Sequence, residues 1–117
     1  MANPAKRKGS AWEHSIVMFL RSIGKRAQRI PAGSTADQGD IFVADPDWPA
    51  IQAKNCQRFD LAGWVRDVEQ QAVNASRTCG VVWIKKRGST DPGDAYVLMT
   101  GRTFVTLMEG PIDGERN

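Results

Sequence analysis

Gly39-Asp40-Ile41-Phe42-Val43 and, seven residues on, Ala50-Ile51-Gln52-Ala53-Lys54-Asn55 decide how the chain folds. Each reads as a short strand, and the intervening residues 44–49 carry two prolines and two aspartates, the composition of a turn. The expected result is a β-hairpin. Side chains alternate along a strand, so Ile41, Val43, Ile51 and Ala53 are assigned to a core and Asp40, Gln52 and Lys54 to the opposite face. An acid at the start of one strand, beside a polar-x-Lys pair on its neighbour, can hold a divalent cation next to an ammonium. That combination is one way of cutting phosphodiesters.

Outward from the hairpin, Ser10 with Glu13 three residues later forms a capping-box pattern. A first helix is therefore expected to begin near Ser10 and to run through Trp12, Ile16, Val17, Leu20 and Ile23 to Gly24. Residues 1–7 before it are expected to form a basic arm. At 3.6 residues per turn Glu13 lies nearly in line with Leu20, which projects its carboxylate from the core-facing stripe toward the sheet. Serving only as a capping residue is the competing role for Glu13. Residues 26–30 read as a first strand at a sheet edge, and residues 31–38 as a loop of small polar residues leading into Asp40. Ser34 or Thr35 there can bind a phosphate, or the loop can be a plain connection.

Asp60 is placed as the N-cap of a second helix carrying Leu61, Trp64, Val65, Val68, Ala72 and Ala75 at helical spacing. Within it Gln70 or Gln71 is a polar candidate for the site. Residues 79–84, Cys-Gly-Val-Val-Trp-Ile, form a near-continuous apolar run, as in a strand buried on both faces. Residues 95–99 give a last strand and residues 100–108 a short helix, with 109–117 as a tail. The expected fold is α/β, in the order αβββαββα. Strands one to three form a meander, a right-handed parallel crossover follows, and the mixed five-stranded sheet is flanked by helices.

The pieces Lys8-Gly9-Ser10 with Glu13, Pro31-Ala32-Gly33-Ser34 before Gly39-Asp40-Ile41, and Gln52-Ala53-Lys54-Asn55 resemble the PD-(D/E)xK nuclease superfamily. Within it they are most similar to the Holliday junction resolvases of archaea and phages. The resemblance runs from about residue 6 to about residue 108. It implies a restriction-endonuclease-like core and a homodimer that cuts DNA at four-way junctions. Mg2+, or Mn2+, would be held by Asp40, Glu13 and Gln52. Lys54 would act on the reacting phosphate, and Ser34 would sit in the loop beside the metal. One departure from the family pattern is Gln52, where a glutamate or aspartate is usual; an amide oxygen can ligate a cation but brings no charge.

At 117 residues the chain is one domain, able to bury about two-thirds of its unfolded surface. Two cysteines, Cys56 and Cys79, and a single histidine lack the grouping of a zinc site. No run reaches the roughly 20 apolar residues of a membrane span, and a cytoplasmic setting is expected, that of the host cell if the chain is phage-encoded. The net charge is only +3, but the cations cluster in Lys6-Arg7-Lys8, in Lys25-Arg26 with Arg29, and in Lys85-Lys86-Arg87. Such clusters suit a polyanion, whose condensed counterions are released on contact. Expected DNA contacts are Lys6, Arg7, Lys8, Ser10, Arg29, Ser34, Thr35, Asn55, Lys85, Lys86 and Arg87. The rival readings are a nicking or restriction-like enzyme on duplex DNA, an inert junction-binding module, and a small protein-interaction domain.

Overall fold

The computed structural model describes residues 4–31, 33 and 36–110. Helix α1 (Pro4–Ser22) starts six residues before Ser10. Proline is tolerated in a first helical turn, and Ala5, Lys6, Arg7 and Lys8 are all strong helix formers, so the helix extends through the basic triplet. The expected arm is therefore helical from Pro4, and Ser10 and Glu13 lie inside the helix, where they form no capping box. Trp12, Ile16, Val17 and Leu20 are buried as one stripe, whereas Ile23 is exposed just past the end. Gly24, at φ +92°, closes the helix. Its N–H donates to Arg21 O (3.0 Å) and the Lys25 N–H to Leu20 O (3.0 Å), a pairing that needs the left-handed backbone glycine permits.

Five short strands follow in chain order and lie in the sheet in that same order: β1 (Ala27–Arg29), β2 (Ile41–Val43), β3 (Ala50–Lys54), β4 (Gly80–Ile84) and β5 (Tyr96–Leu98). The first three are an antiparallel meander, β3 and β4 are parallel, and β5 returns antiparallel to β4. The parallel step is made by α2 (Leu61–Asn74), whose first turn is capped by Asp60 accepting from the Gly63 N–H at 3.1 Å. A single 3-10 turn at Pro92–Asp94 precedes β5, and α3 (Gly101–Glu109) ends the described chain, capped by Thr100. This is the expected α/β architecture, a mixed five-stranded sheet flanked by helices.

Period-two alternation sorts the sheet into two cores. Ile41, Val43, Ile51, Val81 and Trp83 pack against the α1 stripe, with Ala53 partly buried beside them. Val82 and Ile84 pack against Trp64 and Val68 of α2. Every residue of β4 is buried, because a helix covers each face. The proline-containing turn between β2 and β3 is fastened by Arg77, whose guanidinium donates to the carbonyls of Val43, Asp45 and Trp48. That brace satisfies carbonyls a turn leaves unpaired. Cys56 and Cys79 are both free thiols.

Candidate active site and nucleic-acid interface

The β2–β3 ladder is short: Ile41 pairs with Ile51, and beyond them the Asp40 N–H reaches Ile51 O at 2.8 Å. The chain then turns away through Gly39, at φ +99°, where an added Cβ would stand 2.8 Å from Ile51 O. With no strand opposite, the N–H of Ala53 is left for a side chain, and Asp40 Oδ2 accepts it at 2.8 Å. The same oxygen accepts Gln52 Nε2 at 2.9 Å. Asp40 is thus clamped to β3 by two donors on one oxygen.

Burial pushes the Asp40 carboxyl up to about 6. The Ala53 N–H opposes that rise, the Glu13 charge adds to it, Lys54 opposes it and Asp37 adds to it. Glu13 on α1 and Lys54 on β3, far apart in sequence, both act electrostatically on Asp40. Glu13 and Asp40 line one cleft of about 420 Å³. Glu13 is held there by Arg29, whose Nε donates to Oε1 at 3.0 Å and whose Nη2 donates to Ser10 Oγ at 2.7 Å.

Lys54 is half-buried, with Nζ 5.6 Å from the Trp64 ring centroid. It opens into a neighbouring cleft of about 280 Å³ shared with Gln52, Asp37 and Gln71. Asp37 lines both clefts and joins them. Ser34 and Thr35 lie outside the described residues.

Gln52 donates its amide N–H to Asp40, yet its Oε1 is buried with no hydrogen-bond partner among the described residues. A buried acceptor left bare is costly and commonly marks a missing donor, water or ion. Among the described residues no three His, Cys, Asp or Glu side chains group as a metal cage. The donor set fits a hard cation even so: the carboxylates of Asp40 and Glu13 and the unpaired amide oxygen of Gln52 are all oxygen ligands. Few protein ligands with water completing the shell is how Mg2+ is usually bound.

Gln71, one of the two glutamines expected near the site, serves it together with Asp37 and Asn74, which lie outside the expected set. Gln71 Nε2 donates to Asp37 Oδ2 at 2.8 Å, the Gly39 N–H donates to Asp37 Oδ1 at 3.0 Å, and Asn74 Nδ2 donates to Asp37 O at 2.7 Å. Helix α2 thereby grips the loop that delivers Asp40. Gln71 is 5% exposed and its Oε1 is a second buried acceptor without a partner among the described residues. The signal was in the sequence: Gln71 falls three residues after Val68 and seven after Trp64, a polar residue inside an apolar stripe. Gln70, its neighbour, donates to Asn74 Oδ1 at 3.1 Å and also lines the Lys54 cleft.

The basic clusters separate into different places. Lys8, Asn55, Lys85, Lys86 and Arg87 border one groove of about 450 Å³ at the carboxyl ends of β3 and β4. Lys6 and Ser10 line the Asp40 cleft, and Arg7 is exposed on α1. The cluster of Lys25, Arg26 and Arg29 is divided: Lys25 pairs with Asp45 at 3.0 Å near the far end of β1, while Arg29 is occupied by Glu13. Lys6, Lys8, Lys85, Lys86 and Arg87 form no ion pair with another described residue. Among the described residues no helix is long and apolar enough to cross a membrane. Compared with known proteins, the chain matches no family model, no curated protein and no solved structure.

Proposed function

We propose that the chain is a metal-dependent, structure-selective DNA endonuclease of the PD-(D/E)xK type, acting on four-way junctions as a homodimer. The observation that carries this reading is the cleft lined by Glu13 and the clamped Asp40 carboxylate, to which Gln52 is hydrogen-bonded, with Lys54 in the adjoining cleft. Asp40, Glu13 and Gln52 would hold Mg2+ or Mn2+. Such a cation supplies electrophilic pull on a phosphoryl oxygen and acidifies water. Lys54 places a positive charge where negative charge builds on the phosphate in the transition state. Arg29 fixes the rotamer of Glu13, and the Ala53 N–H and Gln52 amide fix that of Asp40, so the acceptors are oriented before substrate arrives. The unpaired cations bordering the neighbouring groove suit phosphate contacts that sense backbone path more than base identity. A two-fold enzyme would present two such sites to the two-fold symmetry of a junction.

A second reading is favoured by one contact. Glu13 is already neutralised by Arg29, and Gln52 brings no charge, which together suit a module that binds junctions without cutting them. Incubating a synthetic four-way junction and a linear duplex with the native chain, Asp40→Asn and Lys54→Ala, with and without Mg2+, separates the two. Junction cutting by the native chain alone supports the enzyme; equal cutting by all three removes this site. Tight junction binding with no cutting by any of them supports the inert module. Preferential cutting of the duplex points to a nicking or restriction-like enzyme.

A further inference from the structure

The groove at the ends of β3 and β4 has an aromatic wall. Phe59, in the loop between β3 and α2, is 48% exposed and lines it beside Lys8, Lys85, Lys86 and Arg87. Its ring leans on that of Trp64, with centroids 5.5 Å apart and planes tilted by 47°, so Phe59 is anchored by a buried aromatic. Trp64 in turn carries the Lys54 ammonium. The groove is therefore in contact, through a single ring, with a residue of the candidate active site.

Its chemistry is one-sided. Two basic segments far apart in the chain meet there, and among the described residues no acidic side chain lines it and none of its four bordering cations is in an ion pair. Asn55 and Gln57 add amide donors and acceptors. Duplex DNA would offer such a wall only phosphates, because stacked bases hide their faces. An exposed ring among lysines is matched by a nucleotide whose base has left the stack: the phosphate meets the cations and the base lies on the ring. A cleft of about 450 Å³ falls within the usual range for a small-molecule-sized ligand.

We infer that this groove binds an unpaired nucleotide of a nucleic-acid strand, with Phe59 as the stacking platform and Lys8, Lys85, Lys86 and Arg87 holding its phosphates. This deepens the nuclease reading by naming the substrate feature engaged next to the cut, an unstacked base such as a strand-exchange point offers.

The test is binding, measured in EDTA so that no cutting is involved. A single-stranded oligonucleotide with one 2-aminopurine, and a fully paired duplex of the same length, are titrated against the native chain, Phe59→Ala and Phe59→Trp. The expected result for Phe59→Ala is roughly 5- to 100-fold weaker single-strand binding, loss of the stacking-induced fluorescence quench and little change on duplex. Phe59→Trp, which keeps a stacking face, should restore both. Unchanged single-strand affinity in Phe59→Ala, or an equal loss on both substrates, overturns the inference. Mg2+-dependent cutting that ignores Phe59 would overturn it while leaving the nuclease reading intact. Base stacking on Phe59 in a chain that never cuts would do the reverse.

Discussion

Gln52 on β3 and Asp40, just before β2, face each other with the amide N–H on the carboxylate at 2.9 Å, and the other end of the same amide is buried without a partner among the described residues. This pair makes the site asymmetric. One end of Gln52 holds Asp40 still, and the other is an acceptor waiting for positive charge. Gln52→Glu would remove the donor and set two carboxylates together. We expect the metal-free variant to lose on the order of 1–3 kcal/mol of stability near pH 7, by like-charge repulsion and the lost hydrogen bond. Mg2+ should return most of it by binding the folded state only. Thermal melts with and without Mg2+ read both effects; an identical Mg2+ response in native and variant chains would exclude Gln52 as a ligand.

The pH dependence of stability carries the signature of Asp40. Its folded value is about 6 against an ordinary 3.8. Below about 4 the carboxyl is protonated in both states, and between there and about 6 the folded chain holds a proton the unfolded chain has released. This contribution to stability is therefore full at the acidic end and falls as pH climbs through 6. The loss is at most about 3 kcal/mol, and less to the extent that water screens a partly exposed group. Asp40→Asn should flatten that decline, which urea titrations from pH 4 to pH 8 can read. A native chain whose stability shows no more decline than the Asn variant over that range would mean the burial is not felt.

Gln71 tests whether the grip of α2 on the Asp40 loop matters to activity apart from stability. Gln71→Leu deletes the donor to Asp37 and also the buried bare oxygen, so the two effects offset and stability should move by less than about 1 kcal/mol. Cutting, if the site is a nuclease, should fall by roughly tenfold or more, because Asp40 loses a support that fixes its approach. A variant equally stable and fully active would show that the loop positions Asp40 unaided.

Legibility in the sequence followed the physics of each element. Two-residue alternation in Ile41, Val43 and Ile51 and the 3.6-residue stripe of α1 are strong periodic signals, so the sheet, the crossover and the sharing of one cleft by Gln52 and Lys54 were readable. The start of α1 was not, because Ser10 and Glu13 mimic a cap while Pro4 and the basic residues after it continue the helix. The ion pairs of Lys25 and Arg29 were also hidden, since both depend on residues at least sixteen positions away. Arg77 gave no signal at all: its value lies in three turn carbonyls that only the folded hairpin gathers.

Gly39→Ala should be among the more damaging single-methyl additions in this chain. The new Cβ meets Ile51 O at 2.8 Å in a backbone conformation that L side chains resist. We expect a loss on the order of 2 kcal/mol, with Asp40 displaced from Ala53 and Gln52. A denaturation midpoint matching the native chain would show that the loop can relax without cost.

The placement of the cations makes a last prediction that compares two ends of the molecule. Lys86 is exposed on the rim of the groove, while Lys25 is tied to Asp45 and stacked over Trp48 at the other end of β1. If phosphates bind at the groove, Lys86→Ala should weaken DNA binding similarly for every sequence and lower the slope of log affinity against log salt by roughly one. Lys25→Ala should leave that slope alone and leave stability nearly unchanged, as expected for a surface ion pair. Binding titrations of both variants over a range of salt concentrations decide the point, and a slope that changes with Lys25 but not with Lys86 would move the nucleic-acid surface to the opposite end of the sheet.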